Sequence, residues 1–292
     1  MTWWPPSISS PSCPDARLAG AAGTLAALAG AVLLGLGAFL LWAAAPALDQ
    51  IGLARFFTDA AWHPLERQFN LQPMLWGTLA VSAGALLLAA PLGLLSALFT
   101  VFYAPPRLGS AYRRLVELLA GIPSVVYGLW GLVVLVPLIN QWRPPGTSLL
   151  AGMLVLTLMI LPTVALTAEA ALRAVPRDYL NAAAALGLGR AATLRRVVLP
   201  AARGGIVAGL VLAAGRAVGE TMAVLMVTGN VVQNPASLFA PVRTLAANIA
   251  LEMAYALDQH RAALFVSGLV LAVLVAGLMS LAGLLGRRLR HV

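Results

Sequence analysis

Long apolar runs alternate with short polar segments along almost the whole chain. Six runs have about 20 residues or more, the length that a helix needs to cross a hydrocarbon layer of about 30 Å. The first run is longer than the apolar region of a secretory signal, and almost no positive charge precedes it, so we interpret it as a retained membrane helix. The pattern predicts an all-α polytopic membrane protein with six transmembrane helices, at 19–46, 74–103, 115–139, 148–172, 203–228 and 263–286.

Composition agrees with lipid as the main solvent. The chain has 292 residues, of which 61% are hydrophobic and only 10% charged, whereas soluble domains have about 25% charged residues. A single cysteine, Cys13, excludes an intrachain disulfide. The three histidines, His63, His260 and His291, fall in predicted tails or loops without a carboxylate cluster, so we expect no metal site.

Arginine placement predicts the orientation. All 19 basic residues are arginine, and with a cytoplasmic N-terminus thirteen of them fall on the inner side and five on the outer side. Five acidic residues balance the outer five. Because arginine-rich loops resist translocation, we expect a multi-pass protein of the inner (cytoplasmic) membrane with both termini in the cytoplasm. The net charge of +9 is then a topology signal, and we expect no nucleic-acid partner.

The predicted organisation is one membrane unit without a separate soluble domain. Pro91, Pro123 and Pro162 are expected to kink or interrupt their spans, which is compatible with helices that line a pathway and equally with a static bundle. The predicted division is a cytoplasmic tail at 1–18, the first transmembrane helix and an outer segment at 19–73, a five-helix core at 74–286 and a cytoplasmic tail at 287–292.

The segment 173–202 between the fourth and fifth spans is too rich in alanine for a flexible linker. Pro176 stands where a helix can begin, Gly187 and Gly189 permit a sharp turn, and a second amphipathic piece leads to Pro200. We therefore expect a helix, a turn and a helix on the cytoplasmic face, as a docking surface for a partner.

This loop resembles the EAA loop of the permeases of binding-protein-dependent ABC importers. The resemblance implies a short coupling helix that inserts into a cleft of the ATPase subunit. Asn181 stands where the family has glutamate, and Val197 stands where it has isoleucine. A second Glu-Ala-Ala, at 169–171, lies at a membrane boundary and at the wrong distance from the glycine. The matching positions are Asn181, Ala182, Ala183, Gly187, Val197, Leu199 and Pro200.

The absence of lysine excludes an ATPase site in this chain. A P-loop needs a lysine to reach the nucleotide phosphates, and the sequence contains none. The chain is therefore expected to have no cofactor and no catalytic residues of its own, with ATP bound by a separate ATPase.

Three further stretches narrow the resemblance to the PstC-type permeases of high-affinity phosphate importers. The PstA-type partner shares the Arg-Ala-x-Gly-Glu-Thr core but continues differently, so Met222–Val224 favour the PstC type. The resemblance implies a heterodimer with a PstA-type permease, an ATPase dimer, an external phosphate-binding protein and transport of phosphate by alternating access. The stretches are LVELLAGIPSVVYGLWGL at 115–132, MILPT at 159–163 and GRAVGETMAVLMVTGN at 215–230.

Arg216 and Glu220 are charged residues inside the predicted fifth span. If this span enters near Gly205, Arg216 lies about 16 Å deep, where a charge costs at least ~2.5 to 3.5 kcal/mol. As residues i and i+4 they either neutralise each other for structure only or face a pathway in which Arg216 binds the oxyanion and Glu220 holds it. Thr221 is a further candidate for the pathway, and its alternative role is a hydrogen bond to a helix carbonyl.

The outer segments 47–73 and 229–262 are the candidate surface for the external binding protein, and residues 243–257 look helical. The alternative is that both are connecting loops. A membrane-embedded hydrolase lacks a nucleophile and a base in the core, and a structural or signalling subunit does not explain the Arg/Glu pair together with the coupling loop. Another oxyanion, such as phosphonate, sulfate or molybdate, stays open as the cargo.

Overall fold

A computed structural model describes the backbone of residues 13–290 and the side chains of residues 18–280. Residues 1–12, 291 and 292 lie outside the described residues, and with them most of the tail predicted at 1–18 and His291. The first helix already begins at Cys13 and the last one continues to Arg290, so both segments predicted as tails are partly helical.

Helices make up most of the described chain. One short antiparallel hairpin, β1 (Trp62–His63) with β2 (Gln68–Phe69), lies between the second and third helices. Three five-residue π-helical turns occur in the described chain: Gly131–Leu135 and Leu194–Val198 each join two helices without a gap, and Phe99–Tyr103 continues a helix at its C-terminal end. The helices are α1 (Cys13–Ile51), α2 (Arg55–Thr58), α3 (Gln72–Leu98), α4 (Pro106–Gly121), α5 (Ser124–Trp130), α6 (Val136–Trp142), α7 (Leu149–Arg173), α8 (Arg177–Ala185), α9 (Arg190–Thr193), α10 (Leu199–Val218), α11 (Met222–Val227), α12 (Leu245–Glu252) and α13 (Asp258–Arg290).

The prediction of an all-α fold with six spans is confirmed. Within the described residues, six continuous helical stretches are long and apolar enough to cross a membrane. They are Leu18–Ile51, Gln72–Tyr103, Ser124–Trp142, Leu149–Arg173, Arg190–Val218 and Asp258–Ser280.

The third span was placed wrongly at 115–139. Residues 115–121 belong to α4, an amphipathic helix that ends at Gly121. Ile122 and Pro123 are both extended, and the span begins only at Ser124. A proline disfavours helical geometry in the residue before it, so the Ile122–Pro123 step separates α4 from the span.

The fifth span was also placed wrongly, at 203–228. The continuous helical stretch begins earlier, at Arg190, because α9 runs through a π-helical turn into α10, and it ends at Val218; its first part, up to Pro200, is the second half of the loop 173–202 at the inner end. Gly219, Glu220 and Thr221 interrupt the helix before the short helix α11. Broken helices are found in membrane proteins where the backbone lines a cavity or is covered by protein.

Helix α7 is the centre of the bundle. It packs along α3 on one side and α10 on the other, and α13 packs against α10 and α1. The approach of α7 and α10 requires small residues, since a Cβ added at Gly205 would lie 2.6 Å from the Cβ of Ala171. Helices α3 and α7 continue through Pro91 and Pro162.

The helix, turn and helix predicted for 173–202 are confirmed. Helix α8 follows Pro176, and the turn after it contains Gly187 in the left-handed region, with φ +71°. The next helix starts at Arg190 and leads into the fifth span. We call the end of the bundle that carries α4 and α8 the inner end, and the end that carries the hairpin and α12 the outer end.

Candidate functional site

Arg216 and Thr163 connect two of the three stretches that were singled out in the sequence. Nη1 of Arg216, on α10, donates a hydrogen bond of 3.3 Å to Oγ1 of Thr163, on α7. Thr163 lies ten residues from the inner end of the 25-residue helix α7, which is about 15 Å at 1.5 Å per residue. Arg216 therefore lies level with the middle of α7, although it is only two residues from the end of α10 at Val218.

The third stretch meets the other two through α5. Arg216 is close enough to Tyr127 for an electrostatic interaction, and the Tyr127 hydroxyl donates a hydrogen bond of 2.8 Å to the carbonyl oxygen of Leu119 across the break between α4 and α5. A Cβ added at Gly128 would lie 2.8 Å from the Cα of Ala223, so α5 and α11 are in close contact. All three stretches thus converge beside α7.

The guanidinium of Arg216 is the unusual group in this region. The residue is exposed on the surface of the bundle, although it lies in a membrane span. Its bond to Thr163 is the only hydrogen bond that it makes to the side chains described between residues 18 and 280. A charge at this depth is costly unless it faces water, a partner protein or a counter-ion.

Glu220 does not pair with Arg216. The two residues were expected on one helical face, but α10 ends at Val218 and Glu220 lies in the break. Its Oε1 accepts a hydrogen bond of 3.1 Å from the backbone N–H of Ala223, in the first turn of α11. The expectation of a helical i, i+4 pair is therefore wrong, and the carboxylate instead stabilises the start of the next helix.

Thr221 uses its hydroxyl locally. Oγ1 donates a hydrogen bond of 3.3 Å to the carbonyl oxygen of Gly219. This is a local bond to the backbone, as in the alternative role considered for Thr221, but Gly219 belongs to the break and not to α10. The bond satisfies one of the carbonyls that the end of α10 leaves without a helical partner.

The first half of the coupling loop presents α8 at the inner end. Asn181 and Ala182 are exposed, whereas Ala183 is buried. Leu180 packs on the buried cluster that contains Leu194 and Val198. The helix is thus held on one face by the π-helical turn and is open on the other, as a docking element needs to be.

The second half of the loop supports α8 from behind. Val197 lies in the π-helical turn, and Leu199 and Pro200 open α10. Val197 and Leu199 are half-buried and Pro200 is exposed. The positions of the motif therefore form one structural unit, in which the second half fixes the direction of the first.

Glu169, in the second Glu-Ala-Ala, forms ion pairs that hold two helices together. Its buried carboxylate accepts hydrogen bonds from Nε of Arg173 at 2.8 Å and from Nη1 of Arg113 at 3.4 Å. Because Arg113 belongs to α4, this carboxylate ties α4 to the inner end of α7.

The outer end contains a buried polar network that the sequence did not reveal. Glu252, at the end of α12, is 7% exposed. Its Oε1 accepts a hydrogen bond of 2.6 Å from Nη1 of Arg243, and its Oε2 accepts one of 2.8 Å from Nε1 of Trp62 and lies 2.8 Å from Nε2 of His260. These residues line a cavity of about 960 Å³. The helix predicted within 243–257 is present as the shorter α12.

Thr163 and Tyr127 are the members of the site that residue-by-residue reasoning missed. Both lay inside the quoted stretches, but neither carries a charge that draws attention in an apolar span. Among the residues that the structure describes, no group of three or more His, Cys, Asp or Glu side chains is placed to hold a metal ion.

Comparison with known proteins places these features in a family. Residues 89–291 match the family described as binding-protein-dependent transport system inner membrane component. The phosphate transport system permease protein PstC of Mesorhizobium japonicum is 36% identical over 274 residues, covering 86% of this chain and 84% of the relative. The protein of the same name from Xylella fastidiosa is 34% identical over 271 residues, with 86% and 83% covered.

Solved structures agree on the fold. The inward-facing MetNI methionine ABC transporter aligns with a TM-score of 0.61 at 20% identity, covering 75% of this chain and 95% of that one. A bacterial ABC transporter for import of alginate aligns with a TM-score of 0.61 at 17% identity, covering 93% and 99%. The resemblance stated from the sequence motifs is confirmed.

Proposed function

Because the chain belongs to the binding-protein-dependent transport system inner membrane components, we propose that it is a permease subunit of an ATP-driven importer that moves inorganic phosphate across the cytoplasmic membrane. The observation that carries the proposal is the position of Arg216, a mid-span guanidinium on the bundle surface that bonds only the Thr163 hydroxyl among the described side chains. Relatives of similar length are named as phosphate permeases.

Arg216 has the chemistry that a phosphate pathway needs. Its guanidinium is a planar fork of N–H donors that matches two oxygens of a tetrahedral oxyanion. The neighbouring Thr163 hydroxyl can accept from the arginine and donate to the ion. One weakly held ion contact of this kind lets the ion enter and leave, whereas a very tight site would trap it.

The break at Gly219–Thr221 is the natural wall of such a pathway. Substrate sites of transporters are often formed by interrupted helices near the middle of the membrane. Here the break begins three residues after Arg216, and Glu220 stabilises its far side through Ala223. We propose that Arg216, Glu220 and Thr221 face a partner permease of the PstA type across the pathway. Glu220 contributes by holding the break in position through its bond to Ala223.

Coupling to ATP is proposed to occur through the loop 173–202. The chain has no lysine and hence no P-loop, so the motor is a separate ATPase dimer that binds ATP. Helix α8 with exposed Asn181 and Ala182 is the element that this ATPase contacts, and movement of α8 is transmitted to the fifth span through the π-helical turn at Leu194–Val198. Rigid-body motion then alternates access to the pathway.

The outer end is proposed to receive an external phosphate-binding protein. The hairpin, α12 and the cavity around Glu252 form a structured surface of mixed charge. The arginine distribution supports both termini in the cytoplasm, and in that orientation this surface would face the outer side of the membrane.

The experiment is uptake of labelled phosphate into vesicles that contain the assembled complex, with excess sulfate, molybdate or phosphonate as competitors. We expect uptake that none of the three suppresses. Arg216→Gln should abolish uptake while the complex still assembles, whereas Arg114→Gln, which removes an exposed arginine of α4, should leave it unchanged.

Each opposite result has a definite meaning. Competition by another oxyanion would move the cargo to that ion. Normal uptake by Arg216→Gln would reject the pathway role of the arginine, and failure of the variant to assemble would assign the arginine a structural role instead.

A further inference from the structure

A second cavity, outside the proposed pathway, opens at the inner end of the bundle. It has a volume of about 840 Å³ and lies between the end of α7, the start of α8 and the first turns of α10. We call it the inner cavity. Its lining includes Tyr179, Arg196, Val197, Ala201, Arg203 and Gly204.

The charged side chains that line the inner cavity are all positive. Arg196 and Arg203 both line it, and no acidic residue is among its lining residues. Arg196 is exposed and makes no hydrogen bond or ion pair with the side chains described for residues 18–280. Tyr179, which is exposed and also lines the cavity, carries a phenolic hydroxyl. The cavity therefore offers donors and positive charge to an anion.

The remaining wall is apolar and lies at the membrane boundary. Ala171 belongs to the last turn of the fourth span, and Ala201 and Gly205 belong to the fifth. The volume is within the range of about 300–1,000 Å³ that sites for small organic molecules have. A cationic mouth over an apolar wall at the end of two spans fits an amphiphile better than a bare ion.

We propose that the inner cavity binds a phosphate group, supplied by the headgroup of an anionic phospholipid or by a free phosphate ion. Basic pockets between transmembrane helices on the cytoplasmic side are suited to anionic headgroups. Arg196 donates to the phosphate oxygens, Arg203 adds positive charge, and the glycerol part lies along the alanine wall. The apolar wall favours the lipid.

Occupancy of the inner cavity should affect coupling. The cavity is bounded by Pro176 and Tyr179 at the start of α8 and by Val197 in the π-helical turn. A bound headgroup would bridge the two halves of the coupling loop. The ligand would therefore hold α8 in a fixed orientation relative to the fifth span, whichever ion the pathway carries.

Two variants separate the cavity from general surface charge. Arg196→Gln removes the exposed donor, and Arg177→Gln is the matched control, since it removes an arginine of α8 that does not line the cavity. Gly204→Leu fills the cavity from its wall: a Cβ at Gly204 meets nothing within 4 Å, and leucine favours a helix more than glycine does.

The measurement is native mass spectrometry of the delipidated, assembled complex titrated with phosphatidylglycerol or with phosphatidylcholine. We expect phosphatidylglycerol to bind in preference, with about tenfold weaker binding in Arg196→Gln, the loss expected for a charge-assisted hydrogen bond. Gly204→Leu should bind phosphatidylglycerol as weakly as Arg196→Gln does. Arg177→Gln should bind it as strongly as the unchanged protein.

A second arm identifies the source of the phosphate. Equilibrium dialysis with labelled inorganic phosphate is done on complexes carrying Arg216→Gln, so that the pathway arginine does not contribute. Binding that is lost with Arg196→Gln in this arm, without a phosphatidylglycerol effect, would assign the cavity to the free ion. If Arg196→Gln changes the binding of neither phosphatidylglycerol nor phosphate, the proposal is overturned. Weaker association of the ATPase in that variant would then indicate that Arg196 pairs with a carboxylate of the partner.

Discussion

The Arg216 guanidinium bonds the Thr163 hydroxyl at 3.3 Å and makes no ion pair with Glu220, four residues along the chain. Of the two alternatives considered for these residues, the arrangement does not support the one in which they neutralise each other as a helical pair. The bond to a neutral hydroxyl supplies no counter-charge to the guanidinium. The charge is therefore available to an anion in a way that an arginine held by a carboxylate is not.

Thr163→Val should lower phosphate uptake while leaving assembly intact. Valine keeps the shape of threonine but removes the hydroxyl that positions Arg216. Loss of one exposed hydrogen bond to a charged group is expected to reduce the rate about three- to tenfold, or about 0.7–1.4 kcal/mol. Initial rates of labelled phosphate uptake check this.

The matched control for Thr163→Val is Thr167→Val. Thr167 lies one turn further along α7, and its hydroxyl bonds the backbone carbonyl of Thr163 instead of a charged side chain. Equal loss in both variants would show that the effect comes from α7 as a helix and not from the contact with Arg216.

Much of the bundle could be predicted because lipid imposes a minimum length on every apolar helix. The first, second, fourth and sixth spans coincide closely with their apolar runs. The breaks could not be found in this way. The predicted spans 115–139 and 203–228 are apolar on both sides of their breaks, and hydropathy does not register the extended geometry of Ile122–Pro123 or the interruption at Gly219–Thr221.

The convergence of Tyr127, Thr163 and Arg216 is tertiary information. The three residues lie on α5, α7 and α10, and only the packing of these helices brings them together. The sequence supplied the charged member, because an arginine in an apolar run is conspicuous. The buried Glu252 network was missed for a related reason, since Trp62 and Glu252 are 190 residues apart.

Glu220→Gln and Glu220→Ala should behave differently. Glutamine keeps an oxygen that accepts the bond from the Ala223 N–H, so the complex should assemble normally and lose transport only as far as the negative charge matters. Alanine also loses the bond, which should reduce stability by about 0.5–2 kcal/mol, the range for removal of a helix-capping side chain. Thermal unfolding and uptake are measured on both.

The two variants of Glu220 distinguish its roles. If the carboxylate acts by fixing the break, only Glu220→Ala should lose uptake strongly. Strong loss in Glu220→Gln with unchanged thermal stability would assign the charge itself to the pathway. Unchanged stability and uptake in both variants would contradict a role for Glu220 at the break.

Asp59 should make the outer segment sensitive to acid. Burial raises the pKa of Asp59, but the Arg55 side chain and the backbone N–H of Phe69 lower it more, so the pKa lies below its ordinary value of 3.8. A lowered pKa in the folded state stabilises the fold above the unfolded value and loses this effect as the pH falls through the folded one. The stabilisation should therefore be present at pH 5 and should decline progressively as the pH falls below about 3.8.

The measurement for Asp59 is the thermal midpoint of the purified complex between pH 5 and pH 3. The midpoint of Asp59→Asn should lie below that of the unchanged protein at pH 5, and the difference should shrink as the pH falls. Glu66→Gln changes an exposed acid of the same segment and should show no such convergence. A difference between the Asp59 variant and the unchanged protein that stays constant with pH would reject the assignment.

Gly187→Val should uncouple ATP hydrolysis from transport, and Gly189→Val should not. Gly187 has a φ of +71°, a geometry that costs a β-branched residue about 1–2 kcal/mol, whereas Gly189 has an extended backbone with φ −66° and ψ 161°. A Cβ meets nothing within 4 Å at either position, so the pair isolates backbone geometry from crowding.

Strain at Gly187 should turn α8 away from its direction while the six spans remain intact. We therefore expect the amount of phosphate taken up for each ATP hydrolysed to fall in Gly187→Val and to stay unchanged in Gly189→Val. Normal coupling in Gly187→Val, with its complex assembled, would show that the turn does not set the orientation through which the motor acts.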